Sequence, residues 1–144
     1  KICIQGPVLA SSIAVNDGWF ETNDLGEYEN DRLVVIGRAD DVIISGGENI
    51  YPAEIENVLH GHAAVLQVAV IGIPHEKWGE TPRAVVVLRP DMNASEADLV
   101  TYTRERLAHY KCPTSVVFAD ALPRNASGKL LKRELRLTHG AQFA

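Results

Sequence analysis

The stretch Val42-Ile43-Ile44-Ser45-Gly46-Gly47-Glu48-Asn49-Ile50-Tyr51-Pro52-Ala53-Glu54-Ile55-Glu56-Asn57-Val58-Leu59 changes backbone habit partway along. An apolar run meets a Ser-Gly-Gly turn, Pro52 stands where the first turn of a helix accepts it, and Ile55, Val58 and Leu59 follow at helical spacing. Upstream the texture differs. Lys1 to Ile4, Gly6-Pro7, Asp17-Gly18 before Trp19-Phe20, and Leu33 to Ile36 ending at Gly37 are strands and turns with no helical period. A boundary between two structural units is therefore expected near residues 37 to 41. Downstream, Val65 to Ile73 and Ala84 to Leu88 are apolar runs bounded by Pro74 and Pro90, as buried strands are. Ser95 offers an N-cap to a helix marked by Leu99, Tyr102, Arg106 and Leu107, which must stop before Pro113. Ser115 to Ala119 reads as a strand, Pro123 to Gly128 as a loop and Leu130 to Leu137 as a short basic helix. The expected class is α+β: a central three-stranded sheet flanked by helices, preceded by a β-rich stub and a two-stranded hairpin, with two helices able to cover one sheet face.

Of 144 residues, 46% are hydrophobic and 23% charged, and no apolar run approaches the ~20 residues of a membrane helix. A soluble globular protein without an integral membrane segment is expected. The chain opens on Lys1 in what reads as a strand, as a piece cut from a longer protein would. A net charge of -5 argues against nucleic-acid or anionic-membrane partners, whose binding needs a basic excess. Local positive charge gathers late, at Arg124, Lys129, Lys132, Arg133 and Arg136, a run that a solvated helix face also explains. Cys3 and Cys112 form neither a zinc spacing nor a disulfide framework, which makes a reducing, cytoplasmic compartment the default. The five histidines, His75 included, have no metal-ligand spacing, so no metal or catalytic role is assigned to them. There is no internal repeat or low-complexity segment.

Four segments carry chemistry: Gly18-Trp19-Phe20-Glu21-Thr22-Asn23-Asp24-Leu25-Gly26; Gly37-Arg38-Ala39-Asp40-Asp41 with the hairpin and Glu54-Ile55-Glu56 after it; His75-Glu76-Lys77-Trp78-Gly79-Glu80-Thr81-Pro82; and Leu122-Pro123-Arg124-Asn125-Ala126-Ser127-Gly128-Lys129-Leu130. Each has a plain reading. Asp24 fits a turn carboxylate capping its own backbone. Arg38 with Asp41 fits a surface ion pair. The glycine pair fits an ordinary hairpin turn, Trp78 a loop anchor, and Lys129 a solvated lysine. In this order and spacing, over nearly the whole chain, the four resemble the late motifs of the adenylate-forming superfamily, which includes acyl-CoA synthetases, firefly luciferase and peptide-synthetase adenylation domains.

The resemblance implies that residues 1–36 end a large N-terminal adenylation domain, 37–41 form a hinge and 42–144 form a mobile C-terminal lid domain. Asp24 would accept bonds from the ribose hydroxyls of ATP, a task for an acceptor-only carboxylate. Arg38 would hold the ribose and phosphate region through its two-pronged guanidinium, and Asp40 would be the hinge. Ser45, Gly46 and Gly47 would line the pantetheine tunnel, the glycines letting a narrow arm pass the backbone, with Trp78 as a flat apolar wall. Lys129 would reach in during adenylation, holding charge between carboxylate and α-phosphate. Gly128 would allow close approach, and Ser127 would cap the next helix.

Asn23 departs from the family's usual glycine; it tolerates a left-handed backbone, so the turn survives. Ser45-Gly46-Gly47-Glu48-Asn49 has the form typical of CoA ligases. The implied reaction joins an acid to coenzyme A through an acyl-adenylate, with ATP, Mg²⁺ and coenzyme A required. The partners are that acid, the nucleotide, CoA and the chain's own N-terminal domain, and the isolated piece is expected to fold without turning over. Two alternatives stay open: an adenylating enzyme that uses a carrier protein in place of CoA, or a non-catalytic nucleotide- or CoA-binding or docking module. The short spacing from Gly6-Pro7 to Asp17-Gly18-Trp19-Phe20, with Thr22-Asn23-Asp24, resembles the aromatic-acid branch, including the o-succinylbenzoate ligases of menaquinone synthesis, more than long-chain fatty-acid enzymes. Oligomeric state stays open.

Overall fold

Short turns with positive φ shape the first part of the chain. The computed structural model describes residues 1–7, 9 and 16–140, so most of the interval between Gly6-Pro7 and Asp17 lies outside the described residues. β1 (Cys3–Ile4) pairs antiparallel with β2 (Phe20–Glu21), and β3 (Asp24–Glu29) with β4 (Arg32–Arg38). Asn30 and Asp31 link β3 to β4 at φ 50 and 62, the conformation a two-residue hairpin needs to match strand twist. A register shift between Leu25 and Gly26 sets Asp24 opposite Arg38. Without that bulge Asp24 would face Gly37, so the irregularity brings two charged residues together. A 3-10 turn, Ala39–Asp41, follows, and the contacts divide the chain into Lys1–Asp41 and Val42–Ala144.

The second unit builds its sheet around β8 (Gly79–Leu88). β7 (Val65–His75) runs antiparallel along one edge of β8; on the other edge, β9 (Ser115–Phe118) pairs parallel from Arg83, and β5 (Ile43–Ser45) joins through the Ser45–Gly79 pair. β6 (Glu48–Ile50) completes the hairpin with β5. The expected three-stranded sheet and hairpin are both present, joined by that one pair into five strands. Pro74 and Pro82 lie inside strands rather than at their ends. The Pro82 carbonyl accepts from the Thr114 N–H, so its missing donor faces the gap between β5 and β9, where no ladder bond is lost.

α1 (Pro52–His60) and α2 (Glu96–Arg104) cover one face of the sheet, burying Ile55, Leu59 and Leu99 against Val68, Val70, Ala84 and Val86. α3 (Lys132–His139) covers the other through Leu135, against Ala69, Ile71, Ile73 and Val85. With both faces covered, alternate residues of β7 and β8 face different cores, and the strands read as unbroken apolar runs. Ser95 caps α2 as expected, in a reciprocal box with Asp98. The helix stops sooner than its apolar spacing implied: the Arg106 and Leu107 amides both donate to the Thr103 carbonyl beyond its end, although Leu107 still packs on the core. α3 starts later than the sequence implied, at Lys132, and no side chain caps it.

Candidate active site

In the first unit, Arg38 sits between two carboxylates. Its Nε donates to Asp40 Oδ1 at 3.0 Å and its Nη2 to Asp40 Oδ2 at 3.4 Å, while Nη1 lies 3.7 Å from Asp24 Oδ1. The hydrogen bonds to Asp40 come first, ahead of its charge and that of Asp24, in holding the guanidinium proton more tightly than usual. The nearby pairing is therefore with Asp40 and Asp24 rather than Asp41 alone. Asp24 does not cap its own turn: its N–H donates to Thr22 Oγ1 at 3.1 Å, so Thr22 takes the capping task and the carboxylate stays 44% exposed. Asn23 has no positive φ, and its carbonyl accepts from the Ala39 N–H at 2.8 Å. The turn therefore has no need of the left-handed backbone that glycine or asparagine would supply there.

In the second unit, Lys129 is presented by a loop organised around the Asn125 side chain, four residues before it. Asn125 Oδ1 accepts from Ser127 N–H at 3.1 Å, Ser127 Oγ at 2.8 Å and Lys129 N–H at 2.8 Å. Main-chain bonds between Asn125 and Lys129, and from Arg124 Nη1 to the Gly128 carbonyl, close the loop, with Gly128 at φ 81. The Lys129 ammonium is exposed and makes no hydrogen bond or ion pair with any other described residue. Ser127 is spent on Asn125 and does not cap α3, which starts five residues later at Lys132. The sequence signal for the hub was present: an Asn two residues before a Ser and three before a Gly is the pattern of a side-chain-closed turn. The cationic run itself divides, because Lys132 is drawn into an ion pair with Glu56 at 2.8 Å, leaving Lys129 bare.

Ser45, Gly46 and Gly47 form the turn of the β5–β6 hairpin, with φ 59 at Gly46 and 87 at Gly47. Gly46 is required twice over. Its φ disfavours a side chain, and a Cβ there would come 2.9 Å from Trp78 Cε3. The Gly46 N–H also donates to the Trp78 carbonyl at 2.9 Å. Trp78 anchors its loop and is 45% exposed, with the Lys77 ammonium 4.5 Å from its ring centroid. Ser45, Gly46 and Trp78 border a pocket of about 590 Å³ that Arg104, His109 and Tyr110 also line. Gly47 does not border it. No spacing flags these last three, which only the folded chain brings beside the hairpin. The pocket and the lysine loop share no lining residue. Among the described residues no group of three or more His, Cys, Asp or Glu is placed to hold a metal.

Residues 54–129 match the family described as the AMP-binding enzyme C-terminal domain. A long-chain-fatty-acid–CoA ligase of Mycobacterium tuberculosis is 51% identical over 134 residues, 92% of this chain and 26% of the relative. A 2-succinylbenzoate–CoA ligase of Geobacillus kaustophilus is 48% identical over 146 residues, 94% of this chain and 30% of the relative. An o-succinylbenzoate CoA synthetase from Bacillus subtilis, solved with its acyl-adenylate intermediate, superposes at TM-score 0.86 with 41% identity, over 98% of this chain and 31% of that one. The chain thus spans 26% to 31% of the length of these relatives. A match over more than half the chain, reaching from Glu54 on the first helix of the second unit to Lys129, means that this chain belongs to the AMP-binding enzyme C-terminal domain family.

Proposed function

We propose that the chain is the C-terminal part of an ATP-dependent, AMP-forming acyl-CoA ligase. The observation that carries this is one unit bearing two separate pieces of machinery: a bare lysine on a self-satisfied loop, and an apolar, glycine-lined wall beside a pocket. The first suits a reaction between anions, the second the passage of a slim arm. In the first half-reaction a carboxylate attacks the α-phosphate of ATP, and pyrophosphate leaves with the bonding electrons. Lys129 would hold the two mutually repelling anions together and stabilise the charge that develops between them. Asp24 and Arg38 would orient the nucleotide. In the second half-reaction the CoA thiol attacks the acyl carbon and AMP leaves, with Ser45, Gly46, Gly47 and Trp78 guiding pantetheine.

Residues 1–36 would then end a large adenylation domain, 37–41 serve as the hinge and 42–144 as the lid, turning about Asp40 to present first one face and then the other. Mg²⁺ would ride on the phosphates of the nucleotide rather than on residues of this chain, and would neutralise charge there. The compartment would be the cytoplasm; no helix of the described residues is long and apolar enough to cross a membrane. The acid is aromatic or fatty, and the relatives named for each kind do not choose between them.

The test is carboxylate-dependent pyrophosphate release and CoA-thioester formation by this chain joined to its adenylation domain, across both acid classes. Thioester formation with one class names the substrate. Pyrophosphate release that is indifferent to CoA would favour a carrier-protein enzyme, and neither activity would favour a binding module. Asp40→Pro should slow thioester formation far more than adenylation; equal loss of both would sink the hinge assignment.

A further inference from the structure

The β7–β8 turn contains a titratable residue that neither half-reaction uses. His75 closes β7 and Gly79 opens β8 as a ladder pair, leaving Glu76, Lys77 and Trp78 as a three-residue loop that Gly79 completes at φ 78. So short a loop leaves amides without ladder partners. His75 Nδ1 takes two of them, accepting from Lys77 N–H at 3.2 Å and from Trp78 N–H at 3.2 Å. Both donors are main-chain amides, so Nδ1 must carry its lone pair and the neutral ring must keep its proton on Nε2. Trp78, held this way, gives its carbonyl to the Gly46 N–H and lies against Gly46 closely enough to exclude a side chain. One imidazole nitrogen therefore stands at the start of a chain of contacts that ends in the pocket wall.

We propose that His75 is the positioning residue of the thiol face, and that protonating it releases Trp78. A proton on Nδ1 turns the acceptor into a donor aimed at two other donors, and adds positive charge where two amide dipoles already converge. The loop must then turn away, and the Gly46–Trp78 contact loses its anchor. The charged and titratable groups around Trp78 and the hairpin turn are Glu76 and Lys77 in the loop, Glu80 on β8, and Glu48, Arg104 and His109, which line the same pocket as Trp78. Lys77 is engaged over the Trp78 ring, and Glu80 Oε2 accepts from the Ile44 N–H at 3.2 Å. An aspartate at position 75 could accept the same two amides, but an ordinary aspartate gains a proton only near pH 4. The consequence for catalysis rests on the function proposed above; the coupling of His75 to Trp78 does not.

The experiment is an NMR titration of the 144-residue chain over about pH 8 to 5, following the His75 ring nitrogens and the Lys77 and Trp78 amides. The expected result is that both amides shift together with protonation of His75 Nδ1, and that in His75→Asp they stay fixed over the same range. Lys77 and Trp78 amides that do not move while His75 titrates overturn the proposal, and that result needs no variant. In the enzyme joined to its adenylation domain, KM for CoA should rise about fivefold as His75 charges, the loss of roughly one hydrogen bond. Adenylation kcat should keep its value, and His75→Asp should flatten the rise. Moving amides beside a constant CoA KM would leave the His75 switch standing and overturn its assignment to the thiol face.

Discussion

Two loops of the second unit carry the proposed chemistry, and they are built on opposite principles. The loop before α3 satisfies its own polar groups through Asn125, so that one side chain, Lys129, has no local use. The β5–β6 turn instead removes side chains, so that an aromatic ring can lie on bare backbone at Gly46. Delivering a charge needs a rigid base with a free tip, because an ammonium already paired would have to break that pair before meeting substrate. Forming a wall needs close packing, because a gap of even part of an ångström forfeits contact energy.

If this contrast holds, function and stability separate cleanly between the loops. Lys129→Ala should lower the adenylation rate by about 10² to 10³, the scale of losing one well-placed electrostatic group. The urea midpoint should not move, since the Lys129 ammonium makes no hydrogen bond or ion pair with the described residues and the substitution keeps its main-chain bonds to Asn125; a shifted midpoint would show the lysine to be structural. Gly46→Ala should do the reverse and cost about 1 to 3 kcal/mol of stability, from a left-handed alanine and the displaced Trp78 ring. It should weaken CoA use while adenylation persists, and an unchanged midpoint would contradict the close contact at 2.9 Å.

Asn125→Ala tests the hub and should cost about 0.5 to 1.5 kcal/mol, because the freed donors are exposed and water can replace the lost acceptor. Adenylation should slow with it, and Asn125→Asp, which keeps the acceptor, should restore most of the rate. Loss of thioester transfer in place of adenylation would break the division between the loops.

The smallest effect is away from both loops. Lys111 Nζ meets both oxygens of Glu54 at 2.8 Å, and that hydrogen bond first, then the charge of Glu54, raises the lysine above its ordinary 10.5. A raised cation stabilises the fold fully below the ordinary value, and that share is lost as pH climbs through the raised one. Lys111→Met should therefore lower the urea midpoint at pH 8 by the equivalent of under about 1 kcal/mol, discounted because Glu54 is part exposed. The gap between variant and wild type should close above the raised value, and a gap unchanged there would assign the loss to packing.

The two units differ in a parallel way. No described residue of Lys1–Asp41 is fully buried, and Tyr28 and Val35 are 78% and 61% exposed, whereas the second unit holds two closed apolar clusters. That difference decides what could be read in advance. The hairpin, α1 and the N-cap of α2 follow from Gly46-Gly47, Pro52 and Ser95, because turn and cap preferences act within a few residues. The end of α2 did not follow, because Leu107 packs on the core from outside the helix and apolar spacing cannot tell the two cases apart. Pro82 within β8 was equally hidden, since its harmlessness depends on a gap between two other strands.

The sequence by itself determined the α+β class, the order of the elements and which lysine, arginine, aspartates and glycines stand in the motifs, because local backbone preference and motif spacing are properties of neighbours in the chain. Tertiary structure alone decided that Arg38 is shared by Asp24 and Asp40, that Glu56 draws in Lys132 while Lys129 stays bare, and that His75 and Gly46 both hold Trp78 in place. Most of these contacts form across a bulge, between two faces of a sheet, or between two turns, where direction and distance depend on the whole fold rather than on spacing along the chain.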